Sequence, residues 1–277
     1  MTATDLLIVV IHNNEEYVPA RLVAENLRLM LPDTAVVDVH QQDALSTNVS
    51  VAKLRDHLIT QSILEERWRK YRGLQSLRKR LLAKGNHCYK LCFLLAANKK
   101  RQKEWKIRQI ERAVSLKHQT AWKLYSESKA KRLLVLESDA VWIDNKSDLV
   151  ANYIDYTLRS APAYVNLAGG LDFELLGVDS LRLNDEHISL DNAVFFSRPV
   201  TNTSCAYAIN QPMAKQLLDH LDVHPDLESL GIDWLINSTF IETVTKGTEV
   251  ICLHASPPIL LHGSISGNIK SWHPDRN

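Results

Sequence analysis

The apolar run Leu6–Ile11 constrains the fold of this chain more than any other feature of its sequence. All six residues are hydrophobic and four of them are β-branched, a composition typical of a strand buried on both faces of a parallel sheet. Beyond residues 12–16, apolar positions recur at near-helical spacing from Val18 to Leu31, and a second run of strand character follows at Ala35–His40. We therefore expect a βαβ unit with Leu6–Ile11 as a central strand.

The same alternation returns after a long stretch of helical character at residues 51–128. Strands are predicted at Arg132–Leu136, Ala163–Leu167, Ser204–Ile209 and Glu249–Leu253, and helices at Lys146–Arg159, Gln211–Leu221 and Leu230–Phe240. Only 9 Gly and 9 Pro occur among 277 residues, which disfavours repetitive β architectures with glycine-rich turns. The sequence thus predicts a single α/β domain over residues 1–277, with a mixed, mostly parallel sheet flanked by helices.

Positive charge is concentrated in one part of the helical stretch. Residues 67–108 contain 15 of the 33 Lys and Arg residues but a single acid, Glu104, whereas the rest of the chain is net negative. We interpret residues 53–112 as a basic helical insertion in the α/β domain. Such a block is typical of contact with phosphate-rich partners, meaning anionic membrane, lipid-linked glycan or nucleic acid, although a solvated helical face explains the charge equally well.

Polar side chains follow two of the predicted strands. Glu137 and Asp139 come directly after Arg132–Leu136, and residues i and i+2 of an extended segment face the same way. Because ligands of open α/β sheets bind at the carboxyl ends of strands, this pair is placed to bind a hard cation, Mg²⁺ or Mn²⁺; a solvated acidic turn is the alternative. After the first strand, His12 and Asn13 are candidates for contacting a nucleoside, with an ordinary turn as the alternative.

Three blocks of sequence point to a known family when they are taken in order. They are Ser115–Leu124 followed by Arg132–Ala140, then Thr203–Ile209 with the helix after it, and finally Gly231–Trp234. They resemble the Ser-x-x-His helix and Glu-Asp-Asp strand end, the Gly-Thr-x-x-Tyr strand and the Val-Asp-Trp turn of glycosyltransferase family 25, the lipopolysaccharide and collagen galactosyltransferase type. Ser138 stands in place of the middle acid, and Thr203-Ser204 in place of Gly-Thr.

The resemblance implies a GT-A-like, Rossmann-like fold and roles for particular residues. Glu137, Ser138 and Asp139 would bind the nucleotide-sugar donor. Asp233 would act as the general base of an inverting transfer, with helix capping as its alternative role. The residues that would shape the site are Ser115, His118, Thr203 and Ser204.

A last block near residue 260 resembles the C-terminal His-Gly element of metal-dependent GT-A glycosyltransferases. Leu260–His262 reads as a strand that leads into a polar, glycine-containing loop ending at Lys270. By this resemblance His262 joins Glu137 and Asp139 as a ligand of Mn²⁺ or Mg²⁺, and Lys270 contacts the donor diphosphate. A neutral imidazole is a suitable third ligand, although a histidine in a loop is often only structural.

Other enzyme classes lack their motifs. The chain has no G-x-x-x-x-G-K-[ST] loop, no G-x-G-x-x-G and no G-x-S-x-G, which disfavours P-loop kinases, Rossmann dehydrogenases and α/β hydrolases. His220, His224 and His254 show no compact partner set for zinc, so we interpret them as core or solvated histidines.

The sequence therefore favours a transferase of lipopolysaccharide, O-antigen or capsule biosynthesis. Its partners would be a nucleotide-sugar donor and a glycan or lipid-linked glycan acceptor. With no apolar leader and no C-x-x-C spacing, we expect a cytoplasmic protein, peripheral on the inner membrane face through residues 67–108. The alternative is a non-catalytic module whose basic hairpin binds anionic lipid or nucleic acid, nucleic acid being the less favoured partner.

Overall fold

The computed structural model describes residues 5–13, 17–40, 48, 50–71, 92, 98–143, 147–169, 193–201 and 203–264. These residues form an α/β structure in which helices flank a mixed seven-stranded sheet, and three further short strands form a second sheet. The predicted fold class is confirmed at this level, while the likeness to GT-A enzymes stays a prediction.

Ten strands and six α-helices are found along the described residues. The strands are β1 (Leu6–His12), β2 (Thr34–His40), β3 (Arg132–Glu137), β4 (Ala140–Trp142), β5 (Ala163–Asn166), β6 (Ala168–Gly169), β7 (Ala193–Phe195), β8 (Ala206–Asn210), β9 (Ile251–Ala255) and β10 (Leu260–His262). The α-helices are α1 (Pro19–Met30), α2 (Val51–Tyr71), α3 (Asn98–Glu127), α4 (Ser147–Ile154), α5 (Gln211–Val223) and α6 (Ile232–Thr245), and two short 3-10 helices span Asp155–Leu158 and Pro225–Ser229. These counts refer to the described part of the chain.

The large sheet has the strand order β2-β1-β3-β8-β5-β9-β7. Five strands run in one direction, and β8 and β7 run the opposite way. The first strand is fully buried, as expected, but it lies next to the edge strand β2 rather than at the centre. The carboxyl ends of β1, β3 and β5 and the start of β8 meet at one border of the sheet, which we call the carboxyl edge.

The hydrophobic core has two layers, one on each face of the large sheet. Along β1, the alternate residues Leu7, Val9 and Ile11 pack with α3, α5 and α6, and this side is called the α3 face. Leu6, Ile8 and Val10 point the other way and pack with α1 and α4, on the α1 face. A strand that contributes side chains to both core layers must be apolar at every position, which explains the continuous apolar runs in the sequence.

Local sequence signals account for the start of α5, and tertiary pairing accounts for the short strands that were not predicted. Helix α5 begins with Pro212 in its first turn, and the Asn210 side chain accepts a hydrogen bond from the Met213 backbone N–H, which caps the helix. The helix predicted from Leu230 begins at Ile232 instead. Strands β4, β6 and β7 were not predicted because they are only two or three residues long and are defined by distant partners.

The basic insertion is described only in part. All but the first two residues of helix α2 and the first half of α3 lie within residues 53–112, and both are helical as predicted. Residues 72–91 and 93–97 lie outside the described residues. The predicted boundary at residue 112 falls inside the continuous helix α3, and the insertion itself stays a prediction. Among the helices described here, none combines the length and apolar character that crossing a membrane requires.

Candidate active site at the carboxyl edge of the sheet

Glu137 lies at the carboxyl edge because of the register of three neighbouring strands. It ends β3 opposite Ile11 of the parallel strand β1, and its backbone N–H donates to the carbonyl of Cys205 just before β8, at 2.7 Å. Buried apolar residues before Glu137 hold β3 in the core, so its carboxylate is the first group of the strand that reaches the edge. Glu137 therefore lies at the end of the predicted strand, and its role as a donor-binding or metal-binding residue stays a prediction.

The small sheet brings His262 to Asp139. Strand β10 pairs antiparallel with β4 and places His262 opposite Ala140, and the Gly263 backbone N–H donates to the Asp139 carbonyl at 2.9 Å. As a result His262 Nδ1 lies 2.8 Å from Asp139 Oδ2, which also accepts the Ser264 backbone N–H at 3.1 Å. Two residues that are 123 positions apart in the sequence therefore form one hydrogen-bonded unit.

Asp139 is ionised in this environment although it is buried. Its exposed fraction is 8%, and burial alone raises the pKa of a carboxyl group. Hydrogen bonds and charge interaction with His262, together with hydrogen bonds from Ser264, outweigh that effect and lower the pKa of Asp139 below its ordinary value. When His262 Nδ1 donates to this carboxylate, Nε2 is the ring nitrogen that can act as a metal ligand.

That second nitrogen faces Glu137. His262 Nε2 lies 4.0 Å from Glu137 Oε2, and ligands bound at about 2.1 Å to a Mg²⁺ or Mn²⁺ ion lie about 3 to 4 Å from one another. The pair can therefore share one cation without rearrangement of the backbone. A nitrogen and a carboxylate oxygen that face each other at this distance fit the divalent cation predicted from the sequence.

The other oxygen of Glu137 is held by a chain of buried polar groups. Trp122 Nε1 donates to the Tyr207 hydroxyl oxygen at 2.9 Å, and this hydroxyl lies 2.9 Å from His118 Nδ1. Because the indole only donates, the hydroxyl proton is available for His118 Nδ1, which leaves the proton of a neutral ring on Nε2. His118 Nε2 lies 3.2 Å from Glu137 Oε1 and can donate to it, so the chain orients the carboxylate.

A thiol also lies beside Asp139. Donor atoms of Asp139, Cys205 and His262 all fall within 4.8 Å of one another, with Cys205 Sγ 3.8 Å from Asp139 Oδ1. Complete burial and the neighbouring carboxylates raise the pKa of the Cys205 thiol well above its ordinary value. A thiol that stays protonated is a poor metal ligand, so the oxygen and nitrogen atoms are the fitting donors.

Asp233 supports the turn before β8. Its Oδ1 accepts from the backbone N–H and the hydroxyl of Ser204, and its Oδ2 accepts from the Thr203 backbone N–H at 3.2 Å. Helix α6 is capped by Gly231, so the helix-capping role considered for Asp233 is wrong. Burial raises the pKa of Asp233, and the charge of Glu137 adds to the increase, although the hydrogen bonds from Ser204 and Thr203 lower it in part.

Thr203 has an unusual backbone conformation in this turn. Its φ is +66°, in the left-handed region that β-branched residues rarely adopt. Its N–H is bound by Asp233, and its carbonyl accepts from Asn166 Nδ2 at 3.2 Å. The turn is therefore held from both sides, and the residue at this position is one for which the resembling family has glycine.

The Ser-x-x-His segment of α3 joins this turn to the strands. Ser115 Oγ donates to the Leu230 carbonyl at 2.5 Å, immediately before α6, while His118 one turn later contacts Tyr207 and Glu137. Both side chains are fully buried. The spacing of three puts them on one side of the helix, so this motif fixes α3, α6 and the end of β3 relative to one another.

The residues predicted to contact a nucleoside lie at the same edge. His12 is buried, stacks on His40 with ring centroids 5.2 Å apart, and accepts from Arg21 at 3.3 Å. Asn13 Oδ1 accepts from the ammonium of Lys117, whose exposed fraction is 3%.

Ser138 and Lys270 complete the set of predicted donor-binding residues. The Ser138 carbonyl accepts from the Ala20 backbone N–H at 3.3 Å, which ties the end of β3 to the start of α1. Lys270 lies outside the described residues.

Several residues of the site were missed by sequence reasoning. Tyr207 and Trp122 lie within quoted motifs, but nothing local indicates that their polar atoms meet. Ser264 could have been found from the sequence, because it lies in the polar loop two residues after His262. Lys117 could have been found because it lies inside the Ser-x-x-His segment. The contacts that define their roles join residues far apart in the chain.

Comparisons with known proteins do not assign this chain to a family. No protein-family model matches the chain, and a comparison with curated proteins finds no match.

Proposed function

We propose that this protein is a glycosyltransferase that moves a sugar from a nucleotide-sugar donor to a surface-glycan acceptor. The observation that carries the proposal is the meeting of Glu137, Asp139 and His262 at the carboxyl edge, with Asp139 holding His262 so that its Nε2 faces Glu137. This is where an open α/β sheet binds its ligands, and the donor set fits a divalent cation. The resemblance to family 25 supplies the class of reaction.

The leaving group of such a transfer is a nucleoside diphosphate. Negative charge develops on it as the bond between the sugar and the phosphate oxygen breaks. A divalent cation bound here would offset that charge as a Lewis acid. Glu137 and His262 would hold the cation, and Asp139 would orient His262.

Asp233 is the base of the proposed reaction. Its Oδ1 accepts two hydrogen bonds and its Oδ2 only one among the described residues, so Oδ2 retains room for the proton of an acceptor hydroxyl. The hydroxyl oxygen attacks the anomeric carbon, its proton passes to Asp233, and the electron pair of the breaking bond leaves with the diphosphate. The raised pKa of Asp233 makes it a stronger base than an exposed aspartate.

His12, Asn13 and Lys117 complete the donor side of the proposal. His12 and Asn13 lie where β1 ends, next to β3 in the sheet, and Lys117 of α3 contacts Asn13. A nucleoside on β1 and a diphosphate near Glu137 would therefore occupy adjacent positions. The Lys117 ammonium positions Asn13 and adds positive charge near the phosphates. The basic segment 67–108 would contact the anionic headgroups around a lipid-linked acceptor.

The first test is thermal unfolding of the purified chain with nucleoside diphosphates and nucleotide sugars, with and without Mn²⁺. A ligand that binds only the folded protein raises its stability by about 2.7 kcal/mol at a hundred times its Kd. We expect a Mn²⁺-dependent rise in Tm with one nucleotide, which identifies the base of the donor. Asp139→Ala and Glu137→Gln should abolish the Mn²⁺-dependent part.

The matched control is Asp219→Asn, which removes an exposed carboxylate paired with Lys215 on α5. Full transferase activity of Asp139→Ala would contradict the metal assignment. No shift across the nucleotide panel, together with a large shift on anionic vesicles, would instead support the non-catalytic binding module.

A further inference from the structure

A second cluster of metal-binding side chains lies between α5 and α6, away from the carboxyl edge. His220 Nδ1 and His224 Nε2 lie 3.1 Å and 3.2 Å from Glu242 Oε2, and the three donor atoms fall within 4.8 Å of one another. His220 lies in the last turn of α5 and His224 directly follows the helix, where its backbone N–H donates to the His220 carbonyl at 3.0 Å. The packing of α6 adds the carboxylate. Glu242 is 18 residues beyond His224, so the sequence alone does not indicate that it is a partner of these histidines.

The environment of His220 points to a ligand. Its exposed fraction is 5%, and its Nε2 lies 2.9 Å from Ser238 Oγ. Its Nδ1 forms no hydrogen bond with any described residue, although it lies close to Glu242 Oε2. A neutral ring that donates from Nε2 to Ser238 has its Nδ1 lone pair facing the carboxylate oxygen, and two electron-rich atoms repel each other unless a cation lies between them.

Ser238 and Lys246 act on this cluster as supporting groups do in metal sites. Ser238 fixes which nitrogen of His220 faces Glu242, and a metal-binding histidine commonly donates its other N–H to such a partner. Lys246 Nζ holds Glu242 Oε1 at 2.6 Å, which leaves Oε2 directed at the two histidines. The three donor atoms are therefore oriented before any ion binds.

We propose that His220, His224 and Glu242 form a zinc site with an open coordination position. Zinc binds imidazole nitrogen and carboxylate oxygen at about 2.0 to 2.2 Å in a tetrahedral arrangement. Ligands of such an ion lie about 3.4 Å apart, close to the 3.1 and 3.2 Å that separate these histidines from Glu242 Oε2. Two nitrogens and one oxygen form a donor set that favours zinc over magnesium or calcium.

A cavity adjoins this site at Glu242. It has a volume of about 380 Å³ and is lined by Ser238 and Glu242 on one side and by Arg67, Lys70 and Tyr71 of α2 on the other. Three protein ligands leave a fourth position for water or an anion, and the basic side chains suit an anion there. The proposal does not depend on the transferase function.

The test is zinc binding by the purified chain after treatment with a chelator. All measurements use a His262→Ala background, so that the carboxyl edge does not contribute a histidine. We expect the parent to bind one Zn²⁺ with a rise in Tm. His224→Ala and Glu242→Gln in this background should each weaken zinc binding more than tenfold, since even supporting residues of zinc sites contribute about 10- to 100-fold.

Two results would overturn the zinc site. One is the absence of a zinc-dependent rise in Tm in the parent, and the other is unchanged zinc affinity in both variants. His224 is partly exposed and Glu242→Gln preserves shape, so at least one variant should remain folded, which the Tm measured in chelator verifies. Asp219→Asn, also on α5, serves as the control and should leave zinc affinity unchanged.

Discussion

The two faces of the large sheet differ in the kinds of side chain that they bury. On the α1 face, aliphatic side chains of α1 and α4 pack against alternate residues of β1, β3 and β8. On the α3 face, the core also contains His118, Tyr164, Tyr207 and Trp122, whose polar atoms are hydrogen-bonded. The α1 face therefore supplies stability through buried apolar volume, while the α3 face also orients the side chains of the candidate site.

The largest expected effect comes from the α1 face. Leu27 is fully buried between α1 and the sheet, and Leu27→Ala removes apolar contacts and leaves a cavity. The free energy of unfolding should fall by about 2 to 5 kcal/mol, as measured by urea denaturation. The Mn²⁺-dependent rise in Tm should be unchanged, and its loss would show that the two faces are not separable.

A polar change on the α3 face should act on both stability and the site. Tyr207→Phe leaves Trp122 Nε1 and His118 Nδ1 without their buried partner, which should cost about 1 to 3 kcal/mol. Because His118 then loses its orientation, Mn²⁺ affinity measured by calorimetry should fall as well.

Tyr164→Phe is the matched control for this prediction. Its hydroxyl bonds Thr201 and accepts from Asn166 Nδ2, and neither partner is His118, so stability should fall while Mn²⁺ affinity stays. Equal losses of affinity in both variants would contradict the role given to the Trp122-Tyr207-His118 chain.

The α3 face should also carry a pH dependence of stability. Burial lowers the pKa of His220 to about 4, with Glu242 opposing the shift. Since the unfolded chain takes up this proton near pH 6.5, the stability is complete above that pH and is lost as the pH falls toward 4. Solvent near the cluster limits the change to at most about 2 kcal/mol.

The measurement is urea denaturation in chelator between pH 7 and pH 4, compared with His220→Gln. The wild-type curve should fall more steeply than that of the variant. Parallel curves would show that His220 does not titrate in this interval.

The smallest expected effect is a gain of stability. Thr203→Gly relieves the positive φ of +66° and removes a buried hydroxyl without a hydrogen-bond partner among the described residues. The greater freedom of glycine in the unfolded chain offsets part of this gain, so we expect an increase of about 1 kcal/mol or less. Serine at the same position should give no such increase, and a lower Tm for the glycine variant would contradict the assignment of strain.

The parts of the fold that sequence could predict are those with local apolar patterns. Strands β1 and β3 are continuous apolar runs, and α5 begins with a capping asparagine and a proline, so each is recognisable without its neighbours. Strands β4 and β6 are three and two residues long, and each is defined by pairing with the distant strand β10. Local patterns carry no information about such partners.

The candidate site likewise has residues that the sequence could predict and contacts that it could not. Glu137 and Asp139 were predicted from their place after an apolar strand, and His262 only through resemblance to a family. The link between His118 and Tyr207 joins residues 89 positions apart, and the acceptor role of Asp233 toward Thr203 and Ser204 depends on how α6 packs. These contacts are products of the assembled tertiary structure.

The pairing of β10 with β4 has a consequence for biosynthesis. The ribosome releases residues 5–143 of the chain long before His262, so β1, β3 and Asp139 exist for a time without the histidine that completes the cluster. Contacts of such high sequence separation form late in folding. The nascent chain therefore gains the proposed cation-binding geometry only after His262 has been translated, and until then Glu137 and Asp139 lack that histidine.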